Sequence, residues 1–553
     1  MMTCRKLILF GCAVFLAVAA SATSRRAPDI VVRPVPFASA GPVNDWHFSQ
    51  WSYGYCYLFY DVANSSTTQS HSVQLVCGRV FHSATVTLKP GEQQRIVLPL
   101  LPVALKQHEE VTVYVNGRAW QNFMEYVPSN PMFSLGPRVL LSPAISETSV
   151  RYRIGKSKVE NNGIDFFAAQ MPLFEWPDEW LAYSRFSALL VTQAEYEALS
   201  ESVARALERF VLAGGSLIIA GSAGEEETRG FGNILRLSSA IVEAWSDEDV
   251  RTLMTKTKAE VFPHATGAFF HKNMLHLPRI SGFTLLVVYV LLLLITIFLG
   301  PVLLFALARR NAHIKVYWIA PMAATATGFG VLVAALCIDG LKPLVRTEEL
   351  VLLDAQSNSA VTLAYTGIKA SFSRANLTFP RDTEVTPISH TVLPGSRVDF
   401  FPDAQRFNTA WMPTRIPTYF ALRHVGDAPK KTLEILAESE ESLTIKNNFD
   451  TPLNWLFARG SGEDLFFRMA SILPGEIAVL EPVPNRSILA SVVLRVWEAP
   501  LNVVTASDPS NLPPRTFVAT LSDTPFIKPF IQNQSKSRGG TIVYGTFPGE
   551  AQP

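Results

Sequence analysis

The chain has 553 residues, with 48 Lys plus Arg against 47 Asp plus Glu and a formal net charge of +1. That length exceeds what one hydrophobic core organises, so three or four domains are expected, and the balanced charge excludes the electrostatic footprint of a nucleic-acid-binding protein. A hydrophobic content of 48% and a mean hydropathy of +0.19 are high for a chain with 37 prolines, which predicts that apolar residues are concentrated in particular segments.

The first concentration is at the start. Arg5 and Lys6 precede an apolar run over 7–20, and Ala20-Ser21-Ala22 has the small-x-small form of a cleavage site. A signal peptide over 1–22 and an exported mature chain are expected. A lipobox at Cys12 is the alternative, but the apolar run continues past that cysteine, where a mature lipoprotein would already be polar.

Residues 23–130 read as a β-sandwich. Short runs rich in Val, Tyr, Phe and Thr ("YGYCYLFY", "SVQLVC", "ATVTL", "RIVLPL", "EVTVYV") are separated by turn signals at Lys89-Pro90-Gly91-Glu92 and Asn116-Gly117. If the first two runs pair as a hairpin across "DVANSSTTQSH", Cys56 stands opposite Cys77. A cross-strand disulfide between them is expected, with two buried thiols the other reading. Trp46, Trp51 and the tyrosines serve either as core or as a sugar-stacking platform.

Residues 131–280 read as an α/β domain. "RVLLS" and "SALLVT" are continuous apolar runs of the kind buried in parallel sheets. Thr192-x-x-Glu195 is a capping box, Tyr196, Leu199, Val203, Leu207 and Phe210 follow at helical spacing, and Gly214-Gly215 stops the helix before strand "SLIIAG". The turn Ala220-Gly221-Ser222-Ala223-Gly224 approximates a nucleophile elbow, making Ser222 the candidate catalytic residue. His264, His271 and His276 are the available bases, though none lies in a local signature. His271 and His276 miss the spacing that aligns two ligands on a helix, so no metal or cofactor site is expected.

Two charge-free apolar runs follow, each longer than the ~20 residues that span a bilayer. They predict transmembrane helices over 281–308 and 316–340. Arg309, Arg310 and Lys315 in the connecting 309–315 loop, with no acid, place it in the cytoplasm. The expected partner is then the lipid bilayer of a bacterial inner membrane, crossed twice, with both large regions outside. Gly300-Pro301 predicts a kink in the first helix. Residues 341–505 return to β character. There Leu473-Pro474-Gly475-Glu476 repeats the earlier turn, and Asn448 precedes Pro474 as Asn64 precedes Pro90, hinting at two related sandwiches. Residues 506–553, rich in Pro, Ser and Gly, are expected to be partly disordered. Asn64, Asn376, Asn485 and Asn533 carry glycosylation sequons that would matter in a eukaryotic secretory pathway.

The order of these parts, with "ALERFVLAGGSLIIAGSAG", "GPVLLFALARRNAHIKVYWIAP" and "LTIKNNFDTPLNWLFARGSGEDLFFRMASILPGEIAVL", resembles an uncharacterised group of bacterial membrane proteins. In that group the exported α/β part looks like a class I glutamine amidotransferase-like domain. True amidotransferases need a cysteine nucleophile on the elbow, and no cysteine occurs between Cys77 and Cys337. The resemblance therefore implies a flavodoxin-like fold without that activity. The chain is expected to be a non-enzymatic membrane protein that binds or assembles with an envelope protein partner. An exported serine hydrolase using Ser222 and a glycan-binding surface protein are the alternatives.

Overall fold

The computed structural model describes residues 29–547 except 41–53, 79–80, 102–107, 127–136, 158–163, 223, 225, 258–281, 303–304, 306–308, 310–315, 340–342, 355–357, 370–376, 389–394, 409–410, 414–415, 428–431, 440, 462–464, 469–470, 483–513, 524–525, 528–529 and 532–536. Strands take 50% of it and helices 21%. The expected fold class, in which an α/β domain and a helical membrane hairpin sit between two β domains, is corrected to a mostly β architecture. The expected signal peptide lies outside the described residues.

The first strands are β1 (Ile30–Val35), β2 (Ala38–Ala40), β3 (Cys56–Asn64), β4 (His71–Cys77), β5 (Phe81–Leu88), β6 (Gln93–Leu100), β7 (His108–Val115) and β8 (Arg118–Tyr126). β3 lies between β1 and β6 in one antiparallel sheet, while β4 pairs with β5 and β7 in another. Alternation along "HSVQLVC" buries Val73, Leu75 and Cys77 against Tyr60, Val62 and Leu98 from the facing layer. The expected β3–β4 hairpin is therefore corrected. The 65–70 connection crosses from one layer to the other, so Cys56 stands opposite Leu100, and Cys77 opposite His82 and Val111. The register that would make the two cysteines a cross-strand pair does not form.

The continuous apolar runs become the middle of a parallel sheet. β9 (Arg138–Leu141), β10 (Asp165–Ala169), β11 (Ala188–Thr192), β12 (Ser216–Ala220), β13 (Glu227–Arg229) and β14 (Gly232–Leu237) join β2 in the order β13-β14-β12-β11-β9-β10-β2. The five strands from β14 to β10 are parallel, and β9 and β12 are buried along their whole length because helices cover both faces. Those helices are α1 (Glu147–Lys156), α2 (Gln193–Glu197), α3 (Glu201–Leu212) and α4 (Asp247–Lys256). The single helix expected after Thr192 is two: α2 ends at Ala198, and Ser200 caps α3 afresh by accepting from the Val203 N–H. At the end of α3, Gly215 N bonds Phe210 O at 2.9 Å and Gly214 N bonds Val211 O at 2.8 Å, with Gly214 at φ +107°.

The second apolar region forms α5 (Gly282–Ile297) and α6 (Val316–Asp339). Among the described residues no helix is long and apolar enough to cross a membrane. The expected hairpin, its two crossings and the inner-membrane placement are therefore corrected. α5 has 16 residues, a rise of ~24 Å against the ~30 Å of hydrocarbon a span must cover, and gives way to a π turn at Phe298–Val302 around Pro301. α6 is longer, but its described portion carries Pro321, Thr325, Thr327, Gly328 and Gly330.

After α6 come β15 (Leu344–Asp354), β16 (Ser359–Lys369), β17 (Leu377–Pro380), β18 (Thr383–Pro387), β19 (Arg397–Phe400), β20 (Ala404–Asn408), β21 (Thr418–Asp427), β22 (Leu433–Glu438), β23 (Leu443–Asn447), β24 (Leu453–Arg459), β25 (Leu465–Arg468), β26 (Ile477–Pro482), β27 (Thr516–Leu521), β28 (Phe530–Ile531) and β29 (Ser537–Thr546). Eleven of them form one sheet, in the order β18-β21-β16-β15-β29-β27-β24-β25-β26-β23-β22. The end of 506–553, beyond residue 547, lies outside the described residues; within that stretch β27 and β29 are strands at the centre of this sheet. Gly545 there is a packing residue, since a Cβ would lie 2.5 Å from the Phe517 ring.

The parts are not separate bodies. β19 pairs with β5 in parallel, which continues the first sandwich's sheet into residues 377–408. One hydrophobic cluster runs from Tyr55 and Phe59 through Trp180 and Phe210 to Phe379 and Phe420. A buried polar seam lies beside it. Glu384 accepts from Gly54 N at 2.9 Å and holds Arg423 at 2.5 Å, and Arg423 Nη1 donates to Ala213 O at 3.0 Å. Tyr55 donates to Gln405 at 2.8 Å and accepts from Val385 N at 3.0 Å. Gly54 has φ +79° and a Cβ there would meet Arg185 Cα at 2.3 Å, so only glycine fits the junction.

The suspected internal repeat has a physical form, shifted by one residue from the sequence reading. Asn64 Nδ2 donates to the carbonyls of Gln69, Leu88 and Lys89, and its Oδ1 accepts from Ser66 N. Asn447, not Asn448, does the same with Thr451, Ile472, Leu473 and Phe449 N. In both places the Pro-Gly-Glu turn closes back, with Glu92 and Glu476 each accepting from a backbone N–H at 2.7 Å and Gly91 and Gly475 at φ +73° and +78°. Each asparagine ends a strand paired with the strand after the turn, β3 with β6 and β23 with β26. Asn64, the acceptor of that sequon, is thus buried in the folded chain.

Candidate functional site

In the parallel sheet the chain leaves β9 for β10 on one side and returns to β11 on the other, so the crevice between the carboxyl ends of β9 and β11 is the switch point where such folds bind ligands. Here a side chain of the protein takes up donors at that point. The Glu195 carboxylate, brought there by the capping box, accepts from Thr192 N at 3.0 Å, Thr192 Oγ1 at 2.9 Å, Ser142 Oγ at 2.5 Å and Ala144 N at 3.0 Å. Four donors near two strand ends converge on one side chain, so these four are already engaged and not free for a substrate oxyanion.

Ser222 lies on the turn after β12, next to Gly221 at φ +86°. Gly221 N and Ser222 N both donate to Leu237 O, at 2.9 and 3.1 Å, which ties the turn to the end of β14. Ser222 Oγ accepts from Arg236 Nη1 at 2.9 Å. A guanidinium stays protonated and cannot take a proton from a serine. The structure thus gives Ser222 a donor where a nucleophile needs a base. His264, His271 and His276 lie outside the described residues.

Cys56 and Cys77 are buried in the first sandwich, and Arg185 Nη1 reaches Cys56 Sγ at 3.2 Å. Arg309 is exposed, with its guanidinium 4.4 Å from the Phe305 ring centroid; Arg310 and Lys315 lie outside the described residues. Tyr55, Tyr57 and Tyr60 are core residues, while Trp46 and Trp51 lie outside the described residues. Among the described residues no group of three or more His, Cys, Asp or Glu could hold a metal ion.

One open feature went unread in the sequence. A cleft of about 340 Å³ lies between the outer face of β3 and β6 and the segment Leu173–Ala182. Tyr57, Phe59 and Arg95 form one wall; Phe174, Trp176 and the carboxylates of Glu175, Asp178 and Glu179 form the other. Arg95 is held by Asp61 at 2.7 Å and Glu175 at 2.9 Å. The Tyr57 hydroxyl donates to Glu179 at 2.8 Å, and Arg381 approaches the same carboxylate at 3.2 Å. Burial and then the Glu179 charge push the Tyr57 hydroxyl well above its ordinary value, so it remains the donor. Phe174 is 79% exposed, an aromatic ring standing in solvent at the cleft edge. The signal was the aromatic and acidic run "LFEWPDEW", which follows neither a helical nor a strand period.

No protein-family model matches the chain, and no curated protein does. Among solved structures, the yeast delta-COP-I mu-homology domain complexed with the Dsl1 WxWxV peptide is similar at 9% identity and a TM-score of 0.20, over 37% of this chain and 96% of that one. The yeast delta-COP-I mu-homology domain without a peptide is similar at 8% identity and 0.19, over 37% and 95%. A β-D-mannosidase from Dictyoglomus thermophilum is similar at 10% identity and 0.14, over 83% of this chain and 74% of that one. Likeness at these scores assigns the chain to no family and carries no argument about what it does.

Proposed function

We propose that the chain is a non-enzymatic binding or assembly protein in which the crevice of the parallel sheet serves structure and recognition falls to the cleft beside β3 and β6. The observation that carries this reading is Glu195, whose carboxylate takes up the donors of Ser142, Ala144 and Thr192 at the switch point. Support also comes from the Arg236 donor on Ser222 and from the seam that joins the three parts around Glu384 and Arg423. Such a body presents a fixed surface, as assembly partners require.

The cleft suits a ligand with hydrogen-bond donors on one face, hydroxyl or ammonium, and an apolar surface to lie on Phe174. The test is binding of the full chain to arrays of oligosaccharides and of basic peptides, with Phe174→Ala and Asp178→Asn as variants. Both residues are exposed, so the fold should survive. Binding that falls by about tenfold or more in either variant, at unchanged melting temperature, supports the reading. Absence of any binder, or a binder indifferent to both substitutions, removes the cleft from it.

A further inference from the structure

β6 is an edge strand, because its sheet runs β1-β3-β6 and only β3 pairs with it. In an antiparallel ladder, hydrogen-bonded and non-bonded pairs alternate. Asn64 N donates to Glu92 O at 2.8 Å, and the register then runs without a shift from Ala63 opposite Gln93 to Cys56 opposite Leu100. Counted from that bond, residues 94, 96, 98 and 100 turn their backbone groups to β3, and Gln93, Arg95 and Val97 turn theirs away from it. Pro99, which has no N–H to give a ladder, falls in the outward set, where an edge strand admits proline. Among the described residues no backbone hydrogen bond reaches Gln93, Arg95 or Val97 on that outer side. A row of N–H and C=O groups about 14 Å long is left open to a further strand.

The same strand walls the cleft. Arg95 and Val97 line it beside Tyr57 and Phe59, so a strand added along β6 would set every second side chain on the cleft face. Charge selects its chemistry. Arg95 is shared between Asp61 and Glu175, and Arg381 sits on Glu179, so four carboxylates with Asp178 stand against two guanidiniums. Asp178 has no ion pair among the described residues, and the exposed Phe174 ring lies close to it in sequence and on the same wall.

We infer that an extended basic peptide adds to the β6 edge as a fourth strand and lays a lysine or arginine side chain in the cleft, over Phe174 and against Asp178. The inference rests on the proposed reading of the cleft as the recognition surface, and it names what that surface takes.

The test is fluorescence anisotropy of the full chain with a labelled heptapeptide of alternating lysine and threonine, and with its glutamate-for-lysine counterpart. The basic peptide should bind at least about tenfold more tightly than the acidic one, and Asp178→Asn should shrink that preference. Val97→Pro removes an outward N–H that the β3 ladder does not use. It should weaken the basic peptide by about tenfold at unchanged melting temperature. Equal binding of the two peptides, no binding of either, or indifference to Val97→Pro overturns the inference. An oligosaccharide whose binding is lost in Phe174→Ala but kept in Val97→Pro overturns strand addition while leaving the cleft as the recognition surface. If Val97→Pro does not fold, the wild type decides with two N-methylated peptides, one methylated at the lysine amides and one at the threonine amides. Only one edge of an added strand meets β6, so loss of binding in one of the two supports the inference, and loss in both or in neither overturns it.

Discussion

Asn447→Ala and Asn64→Ala should destabilise the protein by similar amounts, because each asparagine does the same work in its own sandwich. Asn447 is fully buried and Asn64 is 2% exposed. In the second sandwich alanine leaves the Phe449 N–H and the Thr451 carbonyl without the side chain, while Ile472 O and Leu473 O keep backbone donors from Leu453 and Glu476. In the first, Ser66 N and Gln69 O lose the side chain, and Lys89 O keeps Glu92 N. One buried N–H per site, Ser66 N or Phe449 N, loses its acceptor at about 1–2 kcal/mol, and the part-buried Gln69 or Thr451 carbonyl adds less, so a loss of about 2 kcal/mol is expected in either variant. Asn→Asp should be at least as harmful, since it sets a carboxylate against carbonyl oxygens. A chain of this size is not two-state, so the assay is denaturant unfolding followed by limited proteolysis of each region, not a single melting temperature. A loss below about 1 kcal/mol in both variants would refute the account of these turns, and so would a severe loss in one with none in the other.

Other consequences are open to measurement. Burial raises the Glu349 carboxyl from the ordinary 4.5 to about 7, so the folded chain holds a proton that the unfolded chain has released. Stability from this group is full below about pH 4.5 and falls by about 3 kcal/mol by pH 7, and Glu349→Gln should flatten that part of a stability-against-pH curve. Arg423→Met leaves the buried Glu384 carboxylate without its ion partner and should cost about 3–5 kcal/mol, much of it recovered when Glu384→Gln is added, as urea unfolding of single and double variants would show. Gly54→Ala must adopt φ +79° and press a methyl against Arg185, so a loss of more than about 2 kcal/mol is expected in thermal unfolding.

How much of this was legible follows from the range of each interaction. The Thr192–Glu195 capping box, the Gly214-Gly215 stop and the strand Ser216–Ala220 depend on residues close in sequence, and they stand where the pattern put them. The break at Ser200 does not show in an apolar stripe, because Tyr196 and Leu199 before it and Val203 and Leu207 after it pack against the same core. The Cys56–Cys77 register failed because successive strands entered opposite layers, a choice made by β1 and β6 rather than by the intervening loop. Pairings such as Arg397 with Phe81, or Glu349 with Thr541, join residues far apart in sequence and leave no local period. Residues 537–546 read as glycine-rich tail although Gly545 is there to admit Phe517. The membrane reading rested on the length of two charge-free apolar runs and the basic loop between them, and the π turn at Phe298–Val302 lies within the first run. At the candidate sites, the sequence placed Glu195 as a cap but not its reach to Ser142. The run over 173–180 was its one mark of the cleft, and the opposite wall stayed invisible because Tyr57 and Glu179 meet only through folding.

The proposed function rests on the turn and crevice at the carboxyl ends of the parallel sheet serving structure rather than catalysis. A fluorophosphonate probe applied to the full chain, read by intact mass and peptide mapping, addresses it directly. No covalent adduct on Ser222 or Ser142 is predicted, because Arg236 donates to the first and Glu195 holds the hydroxyl proton of the second. A stoichiometric adduct that disappears in Ser222→Ala would contradict the account and establish the turn as an active site.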